Sequence, residues 1–284
     1  MAYGSKLRRT RFAPSPSGLL HLGHAYAAFI AHDRATAGEF LLRIEDIDQT
    51  RCRPEHERAL KEDLAWLGLD WQHPVWRQSA RLPIYTSAIK QLISLNLCYP
   101  CQCTRGDIRA SLSAPQEGVH GPDGLIYPGT CRNRPMSDAG PKDAIRLDLA
   151  RAFAHLGRRD LRFDDSSDRH AGTHRISEDW LLTNCGDIVL SRRDLGTSYH
   201  LAVTVDDAAQ AITEVTRGED LFEATYVHVL LQALLALPTP TYHHHALIRD
   251  ATGKRLAKRD DARSLRAYRA GGATPQDIRR MVGL

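Results

Sequence analysis

The stretch from Arg11 to His24, reading RFAPSPSGLLHLGH, constrains this chain more than any other. Pro14 and Pro16 have no backbone donor to give a helix, and Gly18 disfavours one, so the first half reads as a loop. The following residues favour a helix through Ala25–Ala37, with Gly38 placed to stop it. A loop that empties into a helix start leaves backbone N–H groups without helical partners, and these can receive an anion. His21 and His24 are three residues apart, on one face, where two imidazoles can donate to phosphate oxygens. The segment therefore predicts a phosphate or nucleotide site.

The flanking segments extend the unit. Leu7 to Ala13 is partly strand-like, and Glu39 to Ile44 (EFLLRI) reads as a buried strand. Strand, loop, helix and strand make a βαβ unit, in which ligands bind beyond the carboxyl ends of the strands. Glu45, Asp46 and Asp48 fall at that end, and the period of two puts Arg43 and Glu45 on one face. Without a ligand, the same acidic cluster would simply cap the next helix. Helices are predicted at Pro54–Leu67 and Leu82–Leu97.

At Cys98 the character changes. CYPCQCTRGD carries Cys98, Cys101 and Cys103, and after a Gly/Pro/Ser-rich span YPGTC brings Tyr127 and Cys131. Thiols that return after a loop suit a tetrahedral zinc site, which replaces the core that a small irregular module lacks. Cys101, Cys103 and Cys131 leave one position, for which Tyr127, Cys98 and His120 compete. The chain holds six cysteines and no signal-peptide core, which favours thiols or metal ligands over a disulfide framework.

Strands are predicted at Ala144–Leu149 and Leu161–Asp164 within this inserted region, then at Gly186–Arg193. Leu201–Val205 (LAVTV) reads as a strand buried on both faces and ended by Asp206-Asp207. Ile212–Val215 reads as another, running into the polar cluster Thr216 to Asp220. Tyr226–Leu237 reads as an apolar helix. The triple His243–His245 is read as incidental, since consecutive strand residues cannot all face one ion. Gly253 to Arg259 (GKRLAKR) is a basic loop, suited to a polyphosphate, a nucleic acid or bulk solvent.

With 284 residues, 42% hydrophobic and 25% charged, the chain has material for one large or two modest domains. A net charge of +4 permits a polyanionic partner without demanding one. No apolar run reaches membrane-spanning length, so a cytoplasmic protein without a membrane partner is expected.

Taken together, RFAPSPSG, HLGH, RIEDID, VTVDD, TRGED and GKRLAKR resemble, in order and approximate spacing, the catalytic core of class I glutamyl-tRNA synthetases. HLGH stands at the HIGH motif and Arg255-Leu256-Ala257-Lys258-Arg259 at the KMSKS motif. Only Asp260 to Leu284 follows, too little for an anticodon-reading domain, and with CQC and YPGTC this layout resembles the glutamyl-queuosine tRNA(Asp) synthetases. The resemblance implies an α/β fold: a Rossmann-like core with a zinc-containing insertion, a short helical C-terminal segment and no anticodon-binding domain. The divisions expected are 1–98 and 186–245 for the two halves of the core, 99–185 for the insertion and 246–284 for the basic loop and last helices.

It also implies roles. Arg11, Phe12, Ala13, Pro14, Ser15, Glu45, Tyr199 and Arg217 would line the glutamate pocket, and the carboxylates are not divided between Arg11 and Arg217. His21, Gly23, His24, Leu256 and Lys258 would bind ATP, with His21, His24 and Lys258 catalytic. Cys101, Cys103, Tyr127 and Cys131 would hold one Zn²⁺, and Mg²⁺ would accompany ATP. The partners implied are ATP, L-glutamate and queuosine-containing tRNA(Asp), and the implied state is a monomer. The RNA-facing cations could include Arg192, Arg193 and Arg279. Ala257 removes the serine hydroxyl of the KMSKS motif, for which a modest rate effect is expected. The alternatives are a minimal synthetase charging tRNA(Glu) and a non-catalytic paralogue.

Overall fold

A computed structural model describes residues 7–104, 106–108, 120–121, 124–157, 159–248 and 263–284. Strand β1 (Thr10–Phe12) enters the proline-rich loop, and helix α1 (Leu22–Arg34) leaves it. β2 (Phe40–Ile44), α2 (Pro54–Trp66) and β3 (Gln72–Arg77) complete the first half, with β1 and β3 parallel to β2. Every residue of β2 is buried, as a strand covered on both faces requires. Ala25, Ala28, Phe29 and Ala31 are the inward side of α1 and pack with Phe12, Phe40 and Leu42.

After α3 (Leu82–Ser94), strands β4 (Cys98–Cys101), β7 (Ala144–Leu147) and β10 (Val189–Ser191) form an antiparallel sheet with β7 in the centre. The small hairpin β5 (His120–Gly121) and β6 (Gly124–Leu125) lies between β4 and β7 in the chain. Then come α4 (Leu149–Leu156), β8 (Arg162–Asp165), β9 (Gly172–Arg175) and α5 (Glu178–Asn184). β8 hydrogen-bonds to β12 (Thr241–His245), itself parallel to β11 (Glu214–Gly218), so residues 162–165 extend the sheet of the chain's second half.

The N–H groups of Thr213 and Glu214, at the start of β11, donate to the Arg9 carbonyl just before β1, at 3.0 and 3.2 Å. β1 and β11 thus start side by side, while their neighbours β2 and β12 lie on opposite sides. This is a topological switch point, and the crevice beyond such strand ends is where open α/β sheets bind ligands.

Leu201–Val205 is not a strand. The chain there forms helix α6 (Tyr199–Ala209), begun by the Ser198 hydroxyl, which accepts from Leu201 N–H. His200 through Asp207 are all buried, so no polar stripe marks the helical period, and the apolar run resembles a two-faced strand. A second correction concerns β11: it runs through Thr216 and Arg217, which belong to the strand and not to a loop behind it. Helix α7 (Ala224–Leu234) follows, and the C-terminal helices α8 (Leu265–Ala270) and α9 (Pro275–Met281) close the chain. Leu265, Ile278 and Val282 bury against the core of α1 and β2.

Candidate active site and metal centre

The start of α1 is capped by its own histidines. His21 Nδ1 accepts from Gly23 N–H at 3.1 Å, and His24 Nδ1 accepts from His21 N–H at 3.2 Å. The rings lie 3.8 Å apart, tilted by 41°. Because each Nδ1 is an acceptor, a neutral ring must carry its proton on Nε2. A Cβ on Gly23 would stand 3.1 and 3.2 Å from His21 ring atoms, so glycine there lets the cap close. The loop before it is pinned: Pro14 and Pro16 carbonyls accept from Glu45 and Arg53 N–H, both at 3.1 Å.

The strand ends hold a charge cluster. Arg11 on β1 and Arg43 on β2 meet at Asp207 on α6. Arg11 donates Nε and Nη2 to the two Asp207 oxygens at 2.9 and 3.2 Å, and Arg43 Nη1 donates to Oδ1 at 2.7 Å. Arg11 Nη1 also reaches the Thr216 carbonyl at 3.1 Å, leaving one N–H on each terminal nitrogen. Arg43 Nη2 donates to Glu45 Oε1 at 3.2 Å, so the two do share a face. The neighbouring Asp206 is engaged from behind by Arg81 and the Tyr85 hydroxyl, both at 2.7 Å. Burial pushes Glu45's carboxyl above the usual carboxylate range, against the pull of Arg43 and Arg11. Arg11 and Arg43 hold Asp207 below that range despite its burial. Tyr199 stands among them: burial raises its phenol, and Arg217, Glu45, Arg11 and Asp207 all act on it.

Three thiols, Cys101, Cys103 and Cys131, lie with their sulfurs within 4.8 Å of one another. Tyr127 Oη is 3.5 Å from Cys101 Sγ and 3.6 Å from Cys103 Sγ, while Cys103 and Cys131 sulfurs are 3.6 Å apart. Tetrahedral zinc with sulfur at about 2.3 Å and oxygen at about 2.0 Å would set S–S edges near ~3.8 Å and S–O edges near ~3.5 Å. The three separations given match such edges. Cys131 N–H donates to Tyr127 Oη at 2.7 Å, which fixes the phenol. Cys98 is on the same strand as Cys101 but packs into the main core, where burial pushes its thiol up to about 12.

These features coincide with those of known proteins. Residues 8–284 match the family described as tRNA synthetases class I (E and Q), catalytic domain. The chain belongs to that family. It is 56% identical over 281 residues to the Glutamyl-Q tRNA(Asp) synthetase of Rhodobacter capsulatus, covering 97% of this chain and 99% of that one. To the protein of the same name from Symbiobacterium thermophilum it is 39% identical over 280 residues, covering 94% and 83%. A solved glutamate tRNA ligase of Elizabethkingia meningosepticum, in complex with its amino acid, matches with a TM-score of 0.74 and 26% identity. That match covers 98% of this chain and 61% of the ligase. The chain is thus a ligase of the class I aminoacyl-tRNA synthetase type, with the α/β catalytic fold of that class.

The structure gathers Arg11, Glu45, Tyr199 and Arg217 at the strand ends. Phe12 points the other way, into the core, as alternation along β1 demands. Ala13, Pro14 and Ser15 form the loop beside Glu45. Leu256, Lys258 and the rest of the basic loop lie outside the described residues, as does the His120 side chain. The described flanks of that loop sit against α1: His21 bridges to Ser264, Leu265 N–H donates to the Leu20 carbonyl at 2.8 Å, and His245 meets the Tyr26 ring edge-on at 5.0 Å. Arg43, Asp207, His228 and His244 are site residues that sequence reasoning missed. The triple histidine lies on strand β12 and forms no metal cluster among the described residues, and its His244 is buried against Asp165 and Arg217. No helix among the described residues is long and apolar enough to cross a membrane.

Proposed function

We propose that this chain activates L-glutamate with ATP as glutamyl-adenylate and transfers it to the queuosine base in the anticodon loop of tRNA(Asp). The observation that carries the first step is the charge balance of the pocket. Three guanidiniums, Arg11, Arg43 and Arg217, face two carboxylates, Glu45 and Asp207. The excess positive charge matches glutamate, whose two carboxylates outnumber its one ammonium. Glutamine would leave a guanidinium unmatched, so discrimination against it should be large. Glu45 suits the ammonium, and the open N–H groups of Arg11 and Arg217 suit carboxylates.

The reacting carboxylate oxygen attacks the α-phosphorus of ATP, the bond to the bridging oxygen breaks, and pyrophosphate leaves. His21 and His24 donate Nε2–H to phosphate oxygens at the α1 start, and Gly23 lets the nucleotide approach the backbone. Lys258 neutralises charge on the departing pyrophosphate. Mg²⁺ enters with ATP, held by its phosphate oxygens. Catalysis rests on positioning and electrostatics, as in related phosphoryl transfers. A queuosine hydroxyl then attacks the mixed-anhydride carbonyl, and AMP departs. The relatives named for Glutamyl-Q tRNA(Asp) support this acceptor. The enzyme works as a cytoplasmic monomer. Of the cations considered for RNA, Arg192 and Arg193 are exposed just after β10, where Arg192 pairs with Asp194 and Arg193 donates to the Gln102 and Cys103 carbonyls, and Arg279 is paired with Asp33 and lies over Phe29. Glutamate-dependent exchange of pyrophosphate into ATP tests activation; its absence would remove the reading.

Acid should weaken glutamate binding. Glu45 binds its proton at a higher pH than an ordinary carboxylate, so it loses charge first as the solution is acidified. The glutamate KM should rise on the acid side, approaching tenfold per pH unit, while the ATP KM moves little; steady-state exchange across pH measures this. In the knuckle, Cys101, Cys103, Tyr127 and Cys131 hold Zn²⁺, which links two loops that have little core of their own. Metal analysis should find about one zinc per chain, and Cys103→Ser should lose most of it and lower the unfolding temperature.

A further inference from the structure

The buried guanidiniums of the pocket differ in their counter-ions. Arg11 and Arg43 share Asp207, and Arg43 also has Glu45. Arg217 is 7% exposed, yet among the described residues none of its hydrogen-bond partners is a carboxylate. It donates Nε to His244 Nε2 at 3.2 Å, Nη1 to His228 Nδ1 at 3.0 Å and Nη2 to Thr225 Oγ1 at 2.7 Å. A guanidinium only donates, so both receiving ring nitrogens are unprotonated. His244 then carries its proton on Nδ1, 2.5 Å from Asp165 Oδ2, and His228 carries its proton on Nε2, 2.9 Å from His200 Nδ1. Both imidazoles are neutral. Burial pushes His228 well below its ordinary range, with Arg217 adding to it, and brings His244 to about 4 although Asp165 pulls the other way. Tyr242 closes the rear, its ring centre 5.5 Å from the Arg217 guanidinium carbon.

A neutral cradle is costly unless something uses the charge it leaves open, because an uncompensated buried cation is unfavourable. We infer that His228, His244 and Thr225 are positioning residues that fix Arg217 and keep its charge uncompensated, so that a substrate carboxylate is its counter-ion. Each Nη of Arg217 retains one N–H for that carboxylate. The assignment rests on the pocket taking glutamate, as proposed for the activation step.

The test replaces His228 three ways in the full chain and follows glutamate-dependent pyrophosphate exchange. His228→Gln keeps a neutral acceptor and should stay within about threefold of wild type. His228→Leu removes the acceptor and should raise the glutamate KM about tenfold, with kcat and the ATP KM little changed. His228→Glu supplies an internal counter-ion and should raise the glutamate KM about 100-fold. Equal KM values for the leucine and glutamate variants would overturn the charge assignment. If circular dichroism shows His228→Glu unfolded, the other two decide: a higher glutamate KM for leucine than for glutamine supports the cradle, and equal values contradict it. Wild-type protein without glutamate-dependent exchange would instead defeat the underlying glutamate activation.

Discussion

Asp207→Ala should destabilise the protein by about 3–5 kcal/mol, because it removes the carboxylate partner of the buried Arg11 and one of those of the buried Arg43. Arg11 is 4% exposed and Arg43 fully buried, and Arg43 Nε already lacks a hydrogen-bond partner among the described residues. Thermal unfolding should drop by roughly 10 °C, taking about 2–4 °C per kcal/mol for a large domain. Asp207→Asn is the informative companion. It keeps the volume and one acceptor oxygen but cannot receive the Arg11 fork at both oxygens, and it removes the charge. Arg11 then loses its fixed orientation, and the glutamate KM should rise at least about 30-fold, the lower end for breaking a buried charge pair. An Asp207→Asn protein with wild-type stability and wild-type KM would show that Asp207 does not organise this pocket.

Lys258→Ala should lower ATP–pyrophosphate exchange by about 10²–10³ with a smaller change in the glutamate KM. Both described flanks of residues 249–262 are held beside the α1 start, at Ser264 and Leu265 on one side and His245 on the other. Lys258→Arg retains the charge but not the compact ammonium, so partial activity is expected. Near-normal exchange in the alanine variant would remove Lys258 from the mechanism.

The sequence was most legible where backbone chemistry and side-chain chemistry coincide. Proline and glycine in RFAPSPSG marked the loop, and the twin histidines marked the helix start, because both are local effects. The thiol cluster was legible for the same reason: its spacing returns after a loop, and the fold brings Cys101, Cys103 and Cys131 together as expected. Cys98 could be set apart only once β4 turned it toward the core. Helix α6 was misread because His200 through Asp207 are all buried, which erases the periodicity that separates helix from strand. The partners of Arg11 and Arg217 were hidden for a different reason. Asp207 lies 196 residues from Arg11 along the chain, and His244 lies 27 from Arg217. Such pairs are set by strand order at the switch point, and no local pattern announces them. His243–His245 shows the cost: three like residues in a row read as one feature, whereas the strand sends His244 into the site and leaves His243 beside Ser166.

Attachment of glutamate to the queuosine base, rather than to the terminal adenosine, is tested most directly by locating the label on the RNA. The protein is incubated with ATP, labelled glutamate and tRNA(Asp) that either carries or lacks queuosine, and the labelled RNA is then cut to separate the anticodon loop from the terminal adenosine. Label confined to the anticodon fragment of queuosine-containing tRNA(Asp) is the predicted result. Label on the terminal adenosine, or equal labelling of tRNA(Glu) without queuosine, would contradict it.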